Sequence, residues 1–511
     1  MSTDTTTQVT RESSLVRELG TIDATMIVVG SMIGSGIFIT SAESARLVGT
    51  PGWLLAAWAV AGIMTVCGAA TAAEIAAMMP RAGGQYVFLR DIYSPIFGFL
   101  FGWAMFLVVQ TGTIAAVAVA FAKFLGVFLP GISAEEYLIS PIRLGGYALS
   151  LSTQQVVAVA LIVGLTVVNM FGLRFGKWIQ NSFTFTKTAA LFGLIVVGIL
   201  LGTNRESAAW TSAWWDPPAN GWTAGSVLPG LQIASGTALL LLFGKAMIGP
   251  LFSQSAWNNV TFTGGEIKEP ERVLPRAMIL GTASVVILYL LANVAYVLTL
   301  KLPEIQHAPN NRVGTAVMEA IFGGTGAKVM AAAILISTFG CVNGLVMAGA
   351  RIYFAMARDG LFFKSVSRAN RFHVPGWALA AQGLWAVLLV LPVTATLKKG
   401  TADEFEYGNL YNDLLEYIIP VDVTFYTLMV AAVILLRFRA PEAPRPYRTF
   451  AYPLPPLVYI GLAVLLVADF IYLNPGTSGI GFLIVLAGIP VYLIWSRVAA
   501  TAGKPDVRNA G

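Results

Sequence analysis

The feature that most constrains this chain is a succession of long apolar runs that contain no charged residue. Four of them exceed the roughly 18 apolar residues that indicate a membrane span, and they lie at Ile96–Ala122, Ala277–Leu300, Val329–Ala350 and Val374–Leu397. Only 11% of the 511 residues are charged, against about 25% in a soluble domain. The sequence therefore predicts an all-α polytopic membrane protein.

Together with the runs that charges interrupt, these segments give twelve predicted transmembrane helices, which we number as spans 1 to 12. Their predicted bounds are 21–46, 52–79, 95–128, 153–172, 176–202, 232–264, 275–300, 326–357, 374–395, 411–437, 452–474 and 477–499. The connecting segments are too short for a soluble domain, which typically needs about 50 residues or more.

The distribution of basic residues predicts the orientation. Most of the 32 lysines and arginines fall in the two tails and the even-numbered loops, and such residues are enriched on the cytoplasmic side of a membrane. We therefore expect a multi-pass protein of the cell inner (plasma) membrane with both termini in the cytoplasm. The tails are predicted at 1–20 and 500–511. The net charge of +6 follows largely from this topology and requires no nucleic acid partner.

Several kinds of chemistry find no support in the residues. Cys67 and Cys341 both fall within predicted spans, and the two histidines, His307 and His373, fall in loops. No cluster has metal-ligand spacing, and no nucleophile and base stand in a catalytic pattern. We expect no metal, no cofactor and no enzymatic activity.

Span 1 contains an interruption. The stretch VVGSMIGSGIFITSA, from Val28 to Ala42, carries Gly30, Gly34 and Gly36 in the middle of an apolar segment. Each glycine inside a helix costs about 1 kcal/mol relative to alanine. Small residues of this kind allow close helix packing or permit a break in the helix, and span 1 alone does not decide between the two.

Span 6 contains a second interruption at the matching place. Its sequence GPLFSQSAWNNVTFTGGEIKEPERVLP carries Gly249-Pro250 and then Ser253-Gln254-Ser255. Proline removes a backbone donor, and serines compete for backbone groups. Spans 1 and 6 would each begin a set of five helices if spans 1–5 and 6–10 are repeats. Paired interruptions of this kind indicate the binding site of a transporter.

The backbone chemistry of two such breaks suits an amino acid. Where span 1 unwinds, the N–H groups of Ser35, Gly36 and Ile37 gather at the positive end of the next half-helix, which favours a carboxylate. Where span 6 unwinds, the carbonyls of Phe252, Ser253 and Ser255 lie at a helix C-terminus, which favours an ammonium group. We predict that the two breaks bind the zwitterionic part of an α-amino acid.

Several longer motifs give the chain a family resemblance. They are GSGIF in span 1, AAEIAAMMPRAGGQYVFLRDIY after span 2, VNMFG and QNSFTFTK across spans 4 and 5, WNNVTFTGGEIKEPERVLPRA after the span 6 break, STFGCVNG and ARIYFAMARDGLF in span 8, and RPYRTFAYPLPPLVYI before span 11. With them, nearly the whole chain resembles the amino acid–polyamine–organocation superfamily, and within it the L-type amino acid transporter family in a prokaryotic form.

The resemblance implies a fold and a function. The fold would consist of two inverted five-helix repeats, at 21–202 and 226–437, plus two extra helices at 452–499, with spans 1 and 6 discontinuous. The function would be sodium-independent transport of neutral L-amino acids, commonly by exchange and alternating access. The substrate residues implied are Ser35, Gly36, Ile37, Phe252, Ser253, Ser255 and Asn258, with Phe252 as the gate that closes over the substrate.

Lys187 is the residue predicted to replace a sodium ion. It lies deep in span 5, where an ionised lysine costs at least about 2.5–3.5 kcal/mol unless it faces a partner or a polar cavity. Its position in QNSFTFTK resembles the lysine of the family's fifth helix, whose ammonium group takes the place of sodium against helix 1. Unwound carbonyls of span 1 and the hydroxyls of Ser337 or Thr338 are its expected partners.

The other charges within spans allow more than one interpretation. Glu74 could pair with an arginine or titrate, and Asp422 could line the cavity, take protons or pair inside the bundle. Asp469 is expected to be structural, and Lys245 either lies in an outer vestibule or extends to the headgroups.

Alternatives to the exchanger remain open at this level. They are a proton-coupled symporter in which Asp422 or Glu74 titrates, a carrier of cationic amino acids or polyamines, and an amino acid sensor that does not transport. The segment between spans 3 and 4 lacks the cysteine by which animal members bind a heavy chain, so we expect no disulfide-linked heavy-chain subunit. The expected partners are the L-amino acid substrate and the lipid bilayer.

Overall fold

The computed structural model of the chain describes residues 19–80, 83–171, 176–228, 235–368, 370, 372, 374–397, 405–408 and 410–502. Within these residues, ten helices are long and apolar enough to cross a membrane, and a bent pair of shorter helices counts as an eleventh. A shorter apolar helix, Gly376–Val390, lies where span 9 is predicted. The prediction of an all-α polytopic membrane protein is confirmed. Most of both predicted tails lies outside the described residues.

The helices follow the predicted order. Span 1 consists of Thr21–Met32 and Gly36–Val48, and span 6 of Ser235–Ala246 and Ile248–Ser253. The other spans cover Pro51–Met78, Pro95–Leu125, Thr153–Met170, Gly176–Leu200, Pro270–Thr299, Val313–Arg358, Gly376–Val390, Leu410–Arg439, Leu454–Leu473 and Ser478–Ala502. Short helices lie at Gln85–Ile92, Ala224–Val227 and Leu302–Gln306, and 3-10 turns at Ala208–Trp210, Pro218–Asn220, Asn259–Glu266, Pro309–Asn311 and Lys364–Ser367.

Four short strands were not predicted. They are β1 (Tyr137–Leu144), β2 (Tyr147–Ser152), β3 (Pro392–Leu397) and β4 (Phe405–Tyr407), and they form an antiparallel sheet in the order β1-β2-β3-β4. Span 9 therefore ends at Val390 rather than at residue 395, because the β-branched sequence that follows pairs with β2. We call the side of the molecule that carries residues 126–152, 203–228, 392–397 and 405–408 the hairpin face.

Two other spans differ in detail from the prediction. The helical stretch Val313–Arg358 has a kink at Gly323, whose φ of 64° and ψ of -158° favour glycine, so the span 8 predicted from residue 326 corresponds to the helix after the kink and an additional helix precedes it. Span 6 remains helical through Pro250, which lies in the first turn of Ile248–Ser253, where a missing N–H is tolerated. After Ser253 the chain forms only the 3-10 segment Asn259–Glu266.

The core places both interrupted spans at the centre. Span 7 packs along span 2 and along the first half of span 1, and span 8 packs against spans 3 and 5. Much of the contact surface consists of small residues, so helix backbones approach closely. Spans 11 and 12 pack at the periphery and leave many large apolar side chains exposed, as expected of helices that face lipid.

Candidate functional site

The span 1 break is short. The first half-helix ends at Met32, Ile33 is extended with ψ of 100°, and the second half-helix begins at Gly36 after a bend of 43°. Neither Gly34 nor Gly36 has a positive φ. The break therefore does not use the left-handed backbone that favours glycine, and the two glycines must serve another purpose.

That purpose at Gly36 is space. A Cβ atom on Gly36 would lie 2.9 Å from Cβ and 3.0 Å from Cα of Ser253, and it would also overlap the Ser253 hydroxyl. By contrast, a Cβ on Gly34 would meet only the Cys341 sulfur at 3.4 Å, an ordinary contact. Gly36 thus brings the start of the second half of span 1 directly against the end of the helical part of span 6.

Neighbouring helices hold the unwound backbone of span 1. The hydroxyl of Tyr289 donates to the Met32 carbonyl at 2.9 Å, and that of Tyr296 donates to the Ile37 carbonyl at 3.1 Å. The ammonium group of Lys187 donates to the Gly30 carbonyl. Carbonyls on both sides of the break are thereby satisfied from spans 5 and 7, which fixes its shape.

Lys187 bonds a carbonyl of span 1, as expected, but it does not bond the hydroxyls of span 8 that were also expected. Its side chain is 1% exposed and close enough to Cys341 to interact electrostatically. The Thr338 hydroxyl bonds instead to the Ile334 carbonyl at 2.8 Å within its own helix, and the Ser337 hydroxyl has no partner among the described residues. The expectation of a direct bond from Lys187 to either hydroxyl was therefore wrong.

The amide end of the second half-helix points into a polar contact with span 10. Ser35, which is fully buried, shares a hydrogen bond of 3.1 Å with the Tyr411 hydroxyl. The N–H groups of Gly36 and Ile37 belong to the first helical turn and have no carbonyl one turn earlier to bond. These donors and the positive helix end suit an anion.

The span 6 break is longer and differently built. After Ser253 the chain turns through Ala256, whose φ of 67° is unusual for a residue other than glycine. Two serine hydroxyls cap the preceding turn, because Ser253 donates to the Gly249 carbonyl at 2.8 Å and Ser255 donates to the Phe252 carbonyl at 2.9 Å. In this conformation an ammonium group at the Phe252 carbonyl would have to replace Ser255.

A hydrogen-bonded network fixes the turn after Ser255. The Tyr426 hydroxyl accepts from the Ala256 N–H at 3.1 Å and donates to the Asn258 side-chain oxygen at 3.0 Å. Asn258 in turn donates to Gln85 at 2.7 Å. Trp257 stacks on Tyr426 with ring centroids 4.8 Å apart, so it packs in the core of this turn.

Phe252 packs against span 10 beside the span 6 break. Its ring is 7% exposed and lies edge-on against Tyr411, with centroids 6.0 Å apart. The ammonium group of Lys123 lies 5.3 Å from the centroid of the same Tyr411 ring. Tyr411 thus contacts residues of both breaks, through Phe252 and through Ser35.

Of the four charged residues whose roles the sequence left open, Glu74 and Lys245 are paired. Glu74 accepts two hydrogen bonds from Arg437, at 2.9 and 2.6 Å, and lies 3.3 Å from Arg445. Lys245 forms an ion pair of 3.2 Å with Glu416 and donates to Asn474 at 2.9 Å. Glu74 is therefore neutralised near one surface, and Lys245 is neutralised near the other.

The two aspartates differ from this pattern. Asp422 is 7% exposed and forms no hydrogen bond or ion pair within the described part of the chain. Both carboxylate oxygens of Asp469 also lack a hydrogen-bond partner among the described residues, and they lie against Gly244 in span 6.

The sequence reasoning missed four tyrosines of the site: Tyr289, Tyr296, Tyr411 and Tyr426. A tyrosine inside an uncharged membrane span needs a partner for its hydroxyl, and this signal was available in spans 7 and 10. The sequence could not tell which partner each one bonds. No group of three histidine, cysteine, aspartate or glutamate residues that could hold a metal occurs in the described regions.

Two interrupted helices that meet inside a bundle of membrane helices define the chain as a secondary transporter of the broken-helix class. A family model described as amino acid permease matches residues 19–495. The chain therefore belongs to the amino acid permease family, in its L-type branch, and this confirms the resemblance inferred from its motifs. It is a transporter rather than an enzyme.

Curated relatives cover almost the whole chain. The serine/threonine exchanger SteT of Bacillus subtilis (strain 168) is 28% identical over 94% of this chain and 98% of its own length. The large neutral amino acids transporter small subunit 2 of Homo sapiens is 29% identical, over 94% of this chain and 81% of its own length. The human cystine/glutamate transporter is 26% identical, over 94% and 86% respectively.

Proposed function

We propose that this protein exchanges neutral L-amino acids across the membrane by alternating access, without sodium. The observation that carries the proposal is the direct contact between the two breaks, where Gly36 leaves no room for a side chain beside Ser253. This contact sets helix N–H donors opposite the carbonyl end of another helix. Such a pair of groups complements the two charges of an amino acid zwitterion.

The substrate carboxylate would bind the N–H groups of Ser35, Gly36 and Ile37. The positive end of the half-helix Gly36–Val48 supports this assignment, since an anion there is stabilised by the free amides and the helix dipole. The bond between Ser35 and Tyr411 would orient the first of these residues.

The substrate ammonium group would bind carbonyls at the end of Ile248–Ser253. Phe252, Ser253 and Ser255 supply them, and Ser255 would exchange its own bond to the Phe252 carbonyl for the substrate. Asn258 would hold the turn through Tyr426 and Gln85. Phe252 would act as the gate by moving away from Tyr411 when the hairpin face opens.

Sodium independence would follow from Lys187. Its ammonium group donates to the Gly30 carbonyl and so brings a fixed positive charge to the unwound part of span 1. A bound sodium ion would serve the same purpose by coordinating carbonyl oxygens. Because the lysine is covalently attached, substrate binding would not depend on sodium concentration.

Neutral substrates and exchange are supported by the relatives. They include a serine/threonine exchanger and a large neutral amino acids transporter. Among the substrate residues proposed here no side chain is charged, which fits a neutral side chain better than an ionic one. We further propose that both termini lie in the cytoplasm, that the membrane is the cell inner membrane, and that the chain works without a disulfide-linked heavy chain.

Uptake into proteoliposomes tests the proposal. Purified protein is reconstituted in sodium-free buffer, and uptake of labelled L-serine and L-leucine is measured with and without unlabelled amino acid inside. Exchange predicts strong uptake only into preloaded vesicles. Equal uptake into empty vesicles would refute obligatory exchange, and uptake that requires sodium would refute the role of Lys187.

A further inference from the structure

Asp422 is a buried carboxyl group that the proposed exchange reaction does not use. Its side chain is 7% exposed, and within the described chain it forms neither a hydrogen bond nor an ion pair. A carboxylate in such a place lacks the partners that normally offset the cost of removing a charge from water. Asp422 is therefore either neutral in this conformation or in need of a positive group that binds during transport.

The position of Asp422 connects it to both helix breaks. At about 100° per residue, Tyr411 and Tyr426 lie within about 40° of Asp422 around span 10. Tyr411 contacts Ser35 and Phe252, and Tyr426 contacts Ala256 and Asn258. Asp422 thus lies between these tyrosines along span 10 and acts electrostatically on Tyr426, which bonds the turn of the span 6 break.

The groups around Asp422 are aromatic and uncharged. Tyr426 and Tyr459 are the titratable side chains that it influences electrostatically. Tyr459 packs on Gly68 of span 2, and Trp257 lies beside the same glycine. The half-helix Ile248–Ser253 and span 12 from Ser478 to Ser496 carry no charged residue.

The charged groups of the helices that pack on span 10 lie against groups other than Asp422, and all of those named here except Asp469 have a partner of their own. Glu74 of span 2 binds Arg437, and Arg90 of the short helix Gln85–Ile92 pairs with Asp91 and Asp359. Lys123 of span 3 lies over the Tyr411 ring, and Asp469 of span 11 lies against Gly244. On span 10 itself, Asp413 accepts from Thr394, and Glu416 pairs with Lys245.

We propose that Asp422 binds a proton whenever the transporter closes, so that exchange depends on pH although it moves no net charge through this group. On closure a carboxylate oxygen of Asp422 takes a proton from water on the open side and forms an O–H bond. When the cavity opens on the other side, this bond breaks and the proton returns to water there. The two half-cycles of one exchange run in opposite directions, so their protons cancel.

This inference rests on the proposed exchange function and adds a pH dependence to it. The test is exchange of labelled for unlabelled L-serine in proteoliposomes with the same pH on both sides, from about pH 5.5 to about 8.5. The wild-type rate should be highest at acid pH and fall by up to about tenfold per unit once the carboxyl ionises. Asp422→Asn keeps the neutral shape, and its rate should vary by less than about twofold over that range.

Asp469→Asn is the matched control, because Asp469 is another carboxylate without a hydrogen-bond partner in a span. This variant should keep the wild-type pH profile. A flat wild-type profile would overturn the proposal, and so would an Asp422→Asn profile that follows the wild type. If L-arginine competes with L-serine in the wild type but not in Asp422→Asn, and the pH profile is unchanged, then Asp422 binds a cationic substrate side chain. That result would overturn the proposal.

A second measurement does not depend on the variant or on transport. L-serine binding to wild-type protein in detergent is followed by calorimetry at a pH above the acid plateau, in buffers with different ionisation heats. Uptake of about one proton per bound substrate is expected, and none would overturn the proposal. If the wild type binds L-serine with proton uptake but shows no exchange at any pH, the exchange function fails while the proton site stands.

Discussion

In span 1 the chain leaves the helix at Ile33 and re-enters it at Gly36, whereas in span 6 it leaves the helix at Ser253 and continues only as a 3-10 turn. The first break is rich in glycine but has no positive φ, and the second contains the left-handed residue Ala256 without a glycine. The two breaks occupy matching places in the chain but are stabilised in different ways.

The difference teaches what each break requires. Span 1 is held at its carbonyls by Tyr289, Tyr296 and Lys187, and its glycines provide space for close approach. Span 6 is held at an amide and a side chain by Tyr426. We infer that span 1 is a preformed receptor and that span 6 is the element that adjusts to the substrate.

Replacing Gly36 with alanine should have the largest effect, because it removes the space on which the contact between the breaks depends. The added Cβ would lie 3.0 Å from the Cα of Ser253, so backbone must shift. Overpacking of this kind costs about 1–3 kcal/mol, which corresponds to a loss of about 5- to 150-fold in L-serine affinity. Calorimetry on purified protein in detergent measures it.

Gly34→Ala is the matched control for this prediction. Its added Cβ would meet only the Cys341 sulfur, at an ordinary contact distance of 3.4 Å, so affinity should change less than about threefold. Equal losses in the two variants would mean that the glycines act through backbone flexibility and not through space, and the comparison of the breaks would then be wrong.

The sequence predicted which helices are interrupted but not how. Serine and proline in span 6 suggested a break at Gly249-Pro250, yet Pro250 fits within the first turn of its helix. The local pattern could not reveal that Ala256 adopts a left-handed φ, because the Tyr426 hydroxyl that bonds its N–H is 170 residues away. Such tertiary contacts override local propensity.

Lys187 was predictable because a lysine deep in a span is costly and must have a reason. Its partner, the Gly30 carbonyl, belongs to span 1, where a partner was expected. The hydroxyls of Ser337 and Thr338, which were also expected, do not bond Lys187. Thr338 satisfies its hydroxyl within its own helix, which is the common fate of a threonine in a membrane helix. The β1–β2 hairpin, which turns at Gly145-Gly146, was a local signal that the prediction overlooked, whereas the pairing of β2 with β3 joins residues far apart in the sequence.

Neutralising Lys187 should have the next largest effect, because it removes one of the three groups that hold the span 1 break. In Lys187→Met the Gly30 carbonyl loses its charged donor inside the protein. Loss of a hydrogen bond to a charged group costs about 1.5–3 kcal/mol, so exchange should fall about 10- to 150-fold. Initial rates of L-serine exchange in proteoliposomes measure the loss.

Lys245→Met serves as the control, since Lys245 also lies in a span but pairs with Glu416 near the hairpin face. Its exchange rate should remain within about threefold of the wild type, because the partners of Lys245, Glu416 and Asn474, hold neither of the two breaks. If sodium restored exchange in Lys187→Met, the lysine would indeed stand in for an ion. If Lys187→Met exchanged at the wild-type rate, the preformed receptor in span 1 would need no charged support.

A smaller effect should separate the tyrosines of the two breaks. Tyr426→Phe removes two hydrogen bonds at the span 6 break, and Tyr289→Phe removes one at span 1. Each bond contributes about 0.5–1.5 kcal/mol, so Tyr426→Phe should lower the free energy of unfolding more than Tyr289→Phe does.

Tyr353→Phe is the control, because its hydroxyl bonds the Met105 carbonyl away from both breaks. It should lower stability like Tyr289→Phe but leave the affinity for L-serine unchanged. Thermal unfolding in detergent with and without L-serine gives both quantities. If Tyr426→Phe, Tyr289→Phe and Tyr353→Phe all lost the same affinity for L-serine, the hydroxyl groups would act through general packing and not through the bonds that they form at the breaks.

The smallest effect should come from Ala256→Gly, which tests whether the span 6 turn stores backbone strain. A left-handed φ costs an ordinary residue about 1–2 kcal/mol, and glycine avoids this cost but adds about 0.4–1 kcal/mol of entropy to the unfolded chain. The two terms leave a net gain in stability of between about 0 and 1.6 kcal/mol, which in a chain of 511 residues should raise the unfolding temperature by about 1 °C. Because the strain would be released in every conformation that keeps the turn, the exchange rate should stay near the wild type. A lower unfolding temperature would mean that the Tyr426 bond to the Ala256 N–H depends on the alanine, and a changed exchange rate would mean that the turn itself moves during transport.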